Sequence, residues 1–205
     1  MSSTLAQLTV QEAAEQRRSI RAYTPEPVPR ADLEDILRQT GLAPSAWNLQ
    51  PWRWVIVEDA ATKAKLAQAA YNQRQVSGAP AVIVLYTDMA DTLAHLDAVA
   101  RPEADEKARA AFKGMVTGAF AKSSDAERES WAFAQGNIAL GYLLLVAQAK
   151  GYATSPMAGF DPEAVKSLLG LPANVRVPAL VAIGRPAEAG VPHHRFSPGQ
   201  IARFV

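Results

Sequence analysis

The chain has 205 residues, with 21 Lys+Arg against 20 Asp+Glu, a formal net charge of +1 and no cysteine. So even a balance argues against the broad basic face that nucleic acid or an anionic membrane requires, and neither is expected as the main partner. Without cysteine there are no disulfides, no thiolate catalysis and no cysteine-ligated metal. Apolar residues make up 49% and charged residues 20%, which suits one folded domain over residues 1–205 with a sizeable core.

The opening Met1-Ser2-Ser3-Thr4 lacks the basic stretch and apolar core of a secretory leader. The longest apolar run, Ile138 to Ala147, is too short to span a bilayer, so a cytoplasmic protein is expected. Thr9 to Arg18 reads as a short helix, with Thr9 and Glu12 at capping-box spacing. Pro25, Pro27 and Pro29 then hold the chain extended. Arg30 to Leu42 is a second helix with Leu33, Ile36 and Leu37 on one face. Residues 43–51 form a loop, Trp52 to Val57 a strand, and Asp59 to Val76 one continuous helix opened by Asp59. Pro80 to Thr87 is an unbroken, largely β-branched run that predicts a buried strand.

Asp91 to Val99 and Glu103 to Val116 are amphipathic and helical in pattern. Gly114, Gly118 and Lys122-Ser123-Ser124-Asp125 suggest a mobile connection. Ala126 to Lys150 is a long helix, apolar nearly all round from Ile138 onward, which implies burial in the core or against a second subunit. Within it Gly136, Ala139 and Gly141 would let another backbone come close. A short strand at Tyr152 to Ser155, a helix at Asp161 to Leu169 opened by Asp161 and Pro162, and a strand at Arg176 to Ile183 complete the pattern. Helices outnumber well-separated strands, which points to helices covering a central sheet.

The usual catalytic sets are missing. The only histidines are His95, His193 and His194, and there is no Gly-x-Ser-x-Gly elbow for a serine triad. Adjacent His193 and His194 point apart and have no acidic partner at helical spacing, so no metal site is expected. No Gly-x-Gly-x-x-Gly and no Walker loop is present. A chain this poor in reactive groups would leave its chemistry to a cofactor.

Five segments could bind one. Arg17-Arg18-Ser19-Ile20-Arg21 places three guanidinium groups and a hydroxyl within five residues, a donor set matched to a phosphate monoester; an exposed basic helix end is the alternative. Pro44-Ser45-Ala46-Trp47-Asn48-Leu49-Gln50-Pro51-Trp52 mixes short polar side chains with two indoles, suited to the edge and face of a flat ring, or to a stiff connector filling core. Asn72 and Gln75, one helical turn apart, offer two amides on one face. Ser155-Pro156-Met157-Ala158-Gly159-Phe160-Asp161 brings backbone N–H groups near Ala158 and Gly159 to a helix start. Arg195, with His193, lies in a tail that could return to a phosphate.

In this order and spacing, the segments make the chain resemble the nitroreductase family of flavin enzymes, from about Thr9 to the C-terminus. The resemblance implies an α+β sandwich, a central mixed or antiparallel sheet flanked by helices, and an intertwined homodimer with FMN at the subunit interface. It implies that Arg17, Arg18, Ser19 and Arg21 hold the phosphate and the pyrimidine edge. Asn72 and Gln75 would meet the ribityl chain and pyrimidine, and Pro44, Ser45 and Asn48 would reach the flavin from the other subunit. Pro156, Ala158 and Gly159 would approach N5, and Arg195, with His193, would meet the phosphate. The implied activity takes hydride from NADH or NADPH onto flavin N5 and reduces a nitroaromatic, a quinone or a similar small acceptor by ping-pong kinetics, with no catalytic side chain. Ala158 stands where several members carry a glutamate, which opens the question of acceptor. Phe112, Met115 and Phe120 lie in the variable lid region. Other flavin chemistry on the same fold (dehalogenation, flavin fragmentation, dehydrogenation), flavin binding without turnover, and a flavin-free interaction module are the alternatives.

Overall fold

Thr9 opens helix α1 (Val10–Gln16): its hydroxyl accepts from Glu12 N while the Glu12 carboxylate accepts from Thr9 N. The computed structural model describes residues 8–205, so the Met1 to Thr4 stretch lies outside the described residues. The three prolines deliver the chain to α2 (Arg30–Thr40), and strand β1 (Trp52–Val57) follows the 44–51 loop. The expected 59–76 helix is two helices, α3 (Ala60–Ala69) and α4 (Arg74–Gly78). Between them Tyr71 and Asn72 take left-handed conformations with φ of 55° and 57°. Asn72 N folds back onto Ala67 O at 2.8 Å, which closes α3.

Strand β2 (Ala81–Thr87) leads into α5 (Met89–Ala94) and α6 (Leu96–Val99), which split the expected 91–99 helix at His95. Helix α7 (Glu106–Phe120) runs straight through Gly114 and Gly118. The Lys122 to Asp125 stretch ends in a second capping box, in which Ser124 and Glu127 open α8 (Asp125–Ala149). Then come β3 (Ala153–Met157), α9 (Pro162–Leu169) with Asp161 as its cap, β4 (Arg176–Gly184) and a short α10 (Pro198–Ile201) in the tail.

The four strands form one antiparallel sheet in the order β1-β2-β4-β3. Both faces are covered, which is why β2 and β4 read as continuous apolar runs: Leu180, Val181, Ala182 and Ile183 are all fully buried. On one face α3 and α9 bring Leu66 and Val165 against Val82, Val84 and Leu180. On the other α2 and α8 bring Ile36 and Leu143 against Ile83, Val181 and Ile183. A smaller cluster of Leu49, Met89, Val116 and Phe120 lies under the α5–α7 segment.

Helix α8 is the central beam. It is 25 residues long and apolar enough to cross a membrane by length and composition, but Ala132, Ala139, Leu143 and Ala147 are packed into the protein. Its other side, with Ile138 and Tyr142, is exposed. Gly136 explains how close the beam sits: a Cβ there would lie 2.7 Å from Thr87 Cγ2. Gly141, by contrast, faces open space within the chain. At the far end Lys150 pairs with Asp35, Tyr152 donates to Asp32, and Arg185 stacks 4.1 Å above the Tyr152 ring.

Glu129 is 4% exposed and accepts from Met89 N at 2.6 Å, so it caps α5 from α8. Burial, with some repulsion from Asp88, pushes its carboxyl above the ordinary 4.5. A carboxyl raised on folding binds more protons in the native state, so its contribution is fully present below 4.5 and fades as pH rises through the folded value. Glu129→Gln should therefore gain stability relative to the parent as pH rises from 4 to 7, measured by urea unfolding across that range. Gly136→Ala should cost about 1–3 kcal/mol in the same assay, from overpacking against Thr87.

Candidate active site

The N-terminal arginine segment is hooked onto the outer edge of the sheet. Ile20 N donates to Thr154 O at 3.1 Å, and Ser19 pairs with Thr154 as a parallel bridge beside β3. Tyr23 OH then donates to Ile20 O at 2.6 Å and lies 3.2 Å from Ala182 O. Burial pushes that phenol far above its ordinary pKa, so it stays a donor. The arginines are thus fixed beside the strand that runs into the 156–159 turn.

Their side chains differ. Arg18 Nη1 donates to Glu15 O at 2.6 Å and to Arg17 O at 2.9 Å. Arg21 gives its backbone N–H to Glu188 at 2.6 Å, and its guanidinium lies 3.4 Å from Ser19 O. Arg17 is the exception: its Nη1 is buried with no hydrogen-bond partner among the described residues. Burial first, then the charges of Arg195 and Arg18, press the Arg17 pKa down. His193 is pressed down too, by desolvation and then by Arg18, Arg195 and Arg17. The tail therefore brings Arg195 and His193 back to the arginine corner across nearly the whole sequence. Three guanidiniums are concentrated there, beside the Glu188 carboxylate.

The 156–159 turn lies just beyond. Pro156 is half-buried, and Ala158 and Gly159 are exposed. Among the described residues, neither the Ala158 nor the Gly159 N–H donates a hydrogen bond outside the strand ladder. Gln73, which the sequence did not single out, fixes this turn: its Nε2 donates to Gly159 O at 2.7 Å and to Ala70 O at 3.1 Å. Asp161 N donates to Ala69 O at 2.8 Å, a second tie to the end of α3.

Asn72 and Gln75 do not share a helical face. The left-handed break separates them, leaving Asn72 exposed and Gln75 buried at 4%. Gln75 points inward, donating to Gln73 Oε1 at 3.1 Å and reaching Met157 Sδ at the same distance. Its amide supports Gln73 rather than facing solvent. Glu188 is the other residue the sequence did not flag, an exposed-looking carboxylate in a tail. It takes the Arg21 amide and lies 3.9 Å from Arg74.

The 44–51 loop is strained. Trp47, Asn48 and Gln50 have φ of 53°, 57° and 45°, costly for side-chain-bearing residues and concentrated at functional sites in folded proteins. Ser45 Oγ accepts from Gln50 N at 3.0 Å, and Gln135 of α8 holds Ala46 N at 3.0 Å. Trp47 stacks on Trp131 with centroids 6.1 Å apart and meets Phe120 edge-on at 5.8 Å. Pro44 and Asn48 are exposed. The cavity at the arginine corner and the cavity beside this loop share no lining residue. No group of three or more His, Asp or Glu able to hold a metal occurs among the described residues.

Comparison with known proteins decides the family. The model of the nitroreductase family matches residues 14–185. The chain belongs to the nitroreductase family. A protein named NADH dehydrogenase from Thermus thermophilus is 51% identical to this nitroreductase-family chain over 196 residues, 96% of each. A Bacillus subtilis protein named as an NAD(P)H nitroreductase, YdgI, is 32% identical over 195 residues, 92% of this chain and 93% of the relative. The crystal structure of a nitroreductase from Exiguobacterium sibiricum in complex with FMN superposes with a TM-score of 0.90 at 27% identity, covering 99% of this chain and all of that one.

Gln73→Glu keeps the size of the side chain but removes the donor facing Gly159 O. It should cost about 1–3 kcal/mol in thermal unfolding and raise amide exchange selectively at residues 157–160, read by mass spectrometry.

Proposed function

We propose that this member of the nitroreductase family is an FMN-carrying NAD(P)H oxidoreductase that passes electrons to a small organic acceptor such as a nitroaromatic or a quinone. The observation that carries this reading is the unpartnered, buried Nη1 of Arg17 in a corner where Arg18 and Arg195 add further positive charge. A phosphate monoester fits that corner: it supplies the missing acceptor and relieves the mutual repulsion. When bound, FMN supplies the two-electron relay between the nicotinamide and the acceptor.

The chain's own residues divide the work of holding it. Arg17, Arg18 and Arg195 bind the phosphate, helped by His193 and the Ser19 hydroxyl. Arg21 and Asn72 face the pyrimidine side. Gln75 acts through Gln73, which sets the 156–159 turn so that the Ala158 and Gly159 amides point at the ring. Pro44, Ser45 and Asn48 complete the site from the second subunit of a homodimer. The exposed apolar side of α8, with Ile138 and Tyr142, supports such an assembly. One pocket serves donor and acceptor in turn, which gives ping-pong kinetics, and a cytoplasmic setting completes the proposal.

Purified protein should be yellow, and NADH or NADPH should bleach it without added flavin. Colourless protein that ignores added FMN overturns the reading. Arg17→Met should loosen FMN roughly ten- to hundredfold, the loss of one charged hydrogen bond of about 1.5–3 kcal/mol. The flavin-free variant should melt no lower than the parent, because a buried charge without a partner has been removed. Titration with FMN and a melting curve check both.

A further inference from the structure

A cavity beside the strained loop has a volume of about 590 Å³ and lies between Trp47 and Asn48 on one side and the α6–α7 segment on the other. Phe112 and Met115 make its floor apolar, and Arg101 and Arg109 are its only charged lining residues. The two arginines are not equivalent. Arg109 is spent on the fold: its Nε donates to Ala104 O at 2.9 Å and its Nη2 to Pro102 O at 2.9 Å and Arg101 O at 3.2 Å. Those bonds pin the 100–105 loop into a fixed shape, and the loop presents Arg101.

Arg101 is exposed and takes part in none of the lid's ion pairs. Asp91 is committed to Arg53 and His95, Asp97 to Lys113, and Asp105 to the first turn of α7, while Glu103 and Glu106 of the same segment make no ion pair with Arg101. The Asn48 amide is spoken for as well, donating to Val99 O at 3.3 Å and accepting from Gln50. What the cavity offers a guest is therefore an aromatic and thioether surface with one uncommitted guanidinium at its mouth. An apolar slot of this size takes one or two fused rings. A lone guanidinium, planar and always charged, favours a guest bearing a carboxylate or similar oxyanion.

We propose that this cavity is the acceptor site and that Arg101 selects flat acceptors carrying an anionic group. The inference rests on the oxidoreductase reading and on Asn48 lying beside the flavin of the opposite subunit. It names the substrate class that the earlier reading leaves open.

The test uses the flavin-loaded dimeric enzyme and a matched pair, 4-nitrobenzoate and 4-nitrobenzamide, which differ in charge but hardly in shape. Reduction of either nitro group to nitroso consumes two electrons from NADH and two protons, one of them from solvent, and releases water. The parent should favour the benzoate. In Arg101→Ala the ratio of kcat/KM for benzoate over benzamide should fall roughly fivefold or more, carried by KM, the size of one well-placed ion pair. Calorimetric affinity of the oxidised enzyme for 4-nitrobenzoate should fall by a similar factor, and Arg101→Lys should recover part of it. An unchanged ratio, or an effect confined to KM for NADPH, overturns this inference alone. A parent enzyme that NADH reduces but that handles both compounds equally also overturns it. A parent that holds no flavin overturns the oxidoreductase reading first and this inference with it.

Discussion

Two residues of backbone pairing, Ser19 and Ile20 against Thr154, place everything else in the candidate site. They are too few to count as a strand. They nevertheless fix where the arginine corner lies relative to β3, and β3 runs directly into the turn at Ala158 and Gly159. The distance between the arginine corner and the amides of Ala158 and Gly159 is thereby built into one sheet edge. The sheet can act as a ruler because it is rigid: β4 is bonded on both sides and buried on both faces, so neither end of the site can slide.

Much of the fold was legible because its signals are local. The Thr9–Glu12 capping box, the Asp59 and Asp161 caps and the apolar runs of β2 and β4 are written in neighbouring residues, and the structure has them all; the Ser124–Glu127 box is just as local, although the sequence pattern there suggests a mobile connection. The break after α3 was not legible. Nothing in Ala69-Ala70-Tyr71-Asn72 punctuates a helix strongly, and tyrosine at positive φ is disfavoured locally. The conformation is held from a distance, by Asp161 N and by Gln73 reaching Gly159 O. Sequence alone cannot see a contact between residues 73 and 159. The expectation that Asn72 and Gln75 share a face failed for the same reason.

The arginine motif was legible as chemistry but not as geometry. Three guanidiniums in five residues read as one donor set matched to a phosphate monoester. In the fold they part company: Arg18 and Arg21 lean on carbonyls of their own segment, and Arg17 carries the buried atom without a partner. Which arginine is buried depends on where α1 ends and how the chain bends to meet Thr154. Those are tertiary facts. Arg195 was readable only as a possibility, since its proximity to Arg17 spans almost the whole chain.

The last stretch of polypeptide has a consequence of its own. From Val191 onward every residue is exposed, including Phe196, Ile201 and Phe204, and the same chain leaves Leu42 and Val10 uncovered. A protomer by itself therefore shows water a long oily arm and an oily flank. If each arm lies across a sister molecule, completing the fold and finding that sister become one event. Persistence in the cell would then follow how much of the protein is made, and dilution would act on it as a denaturant does.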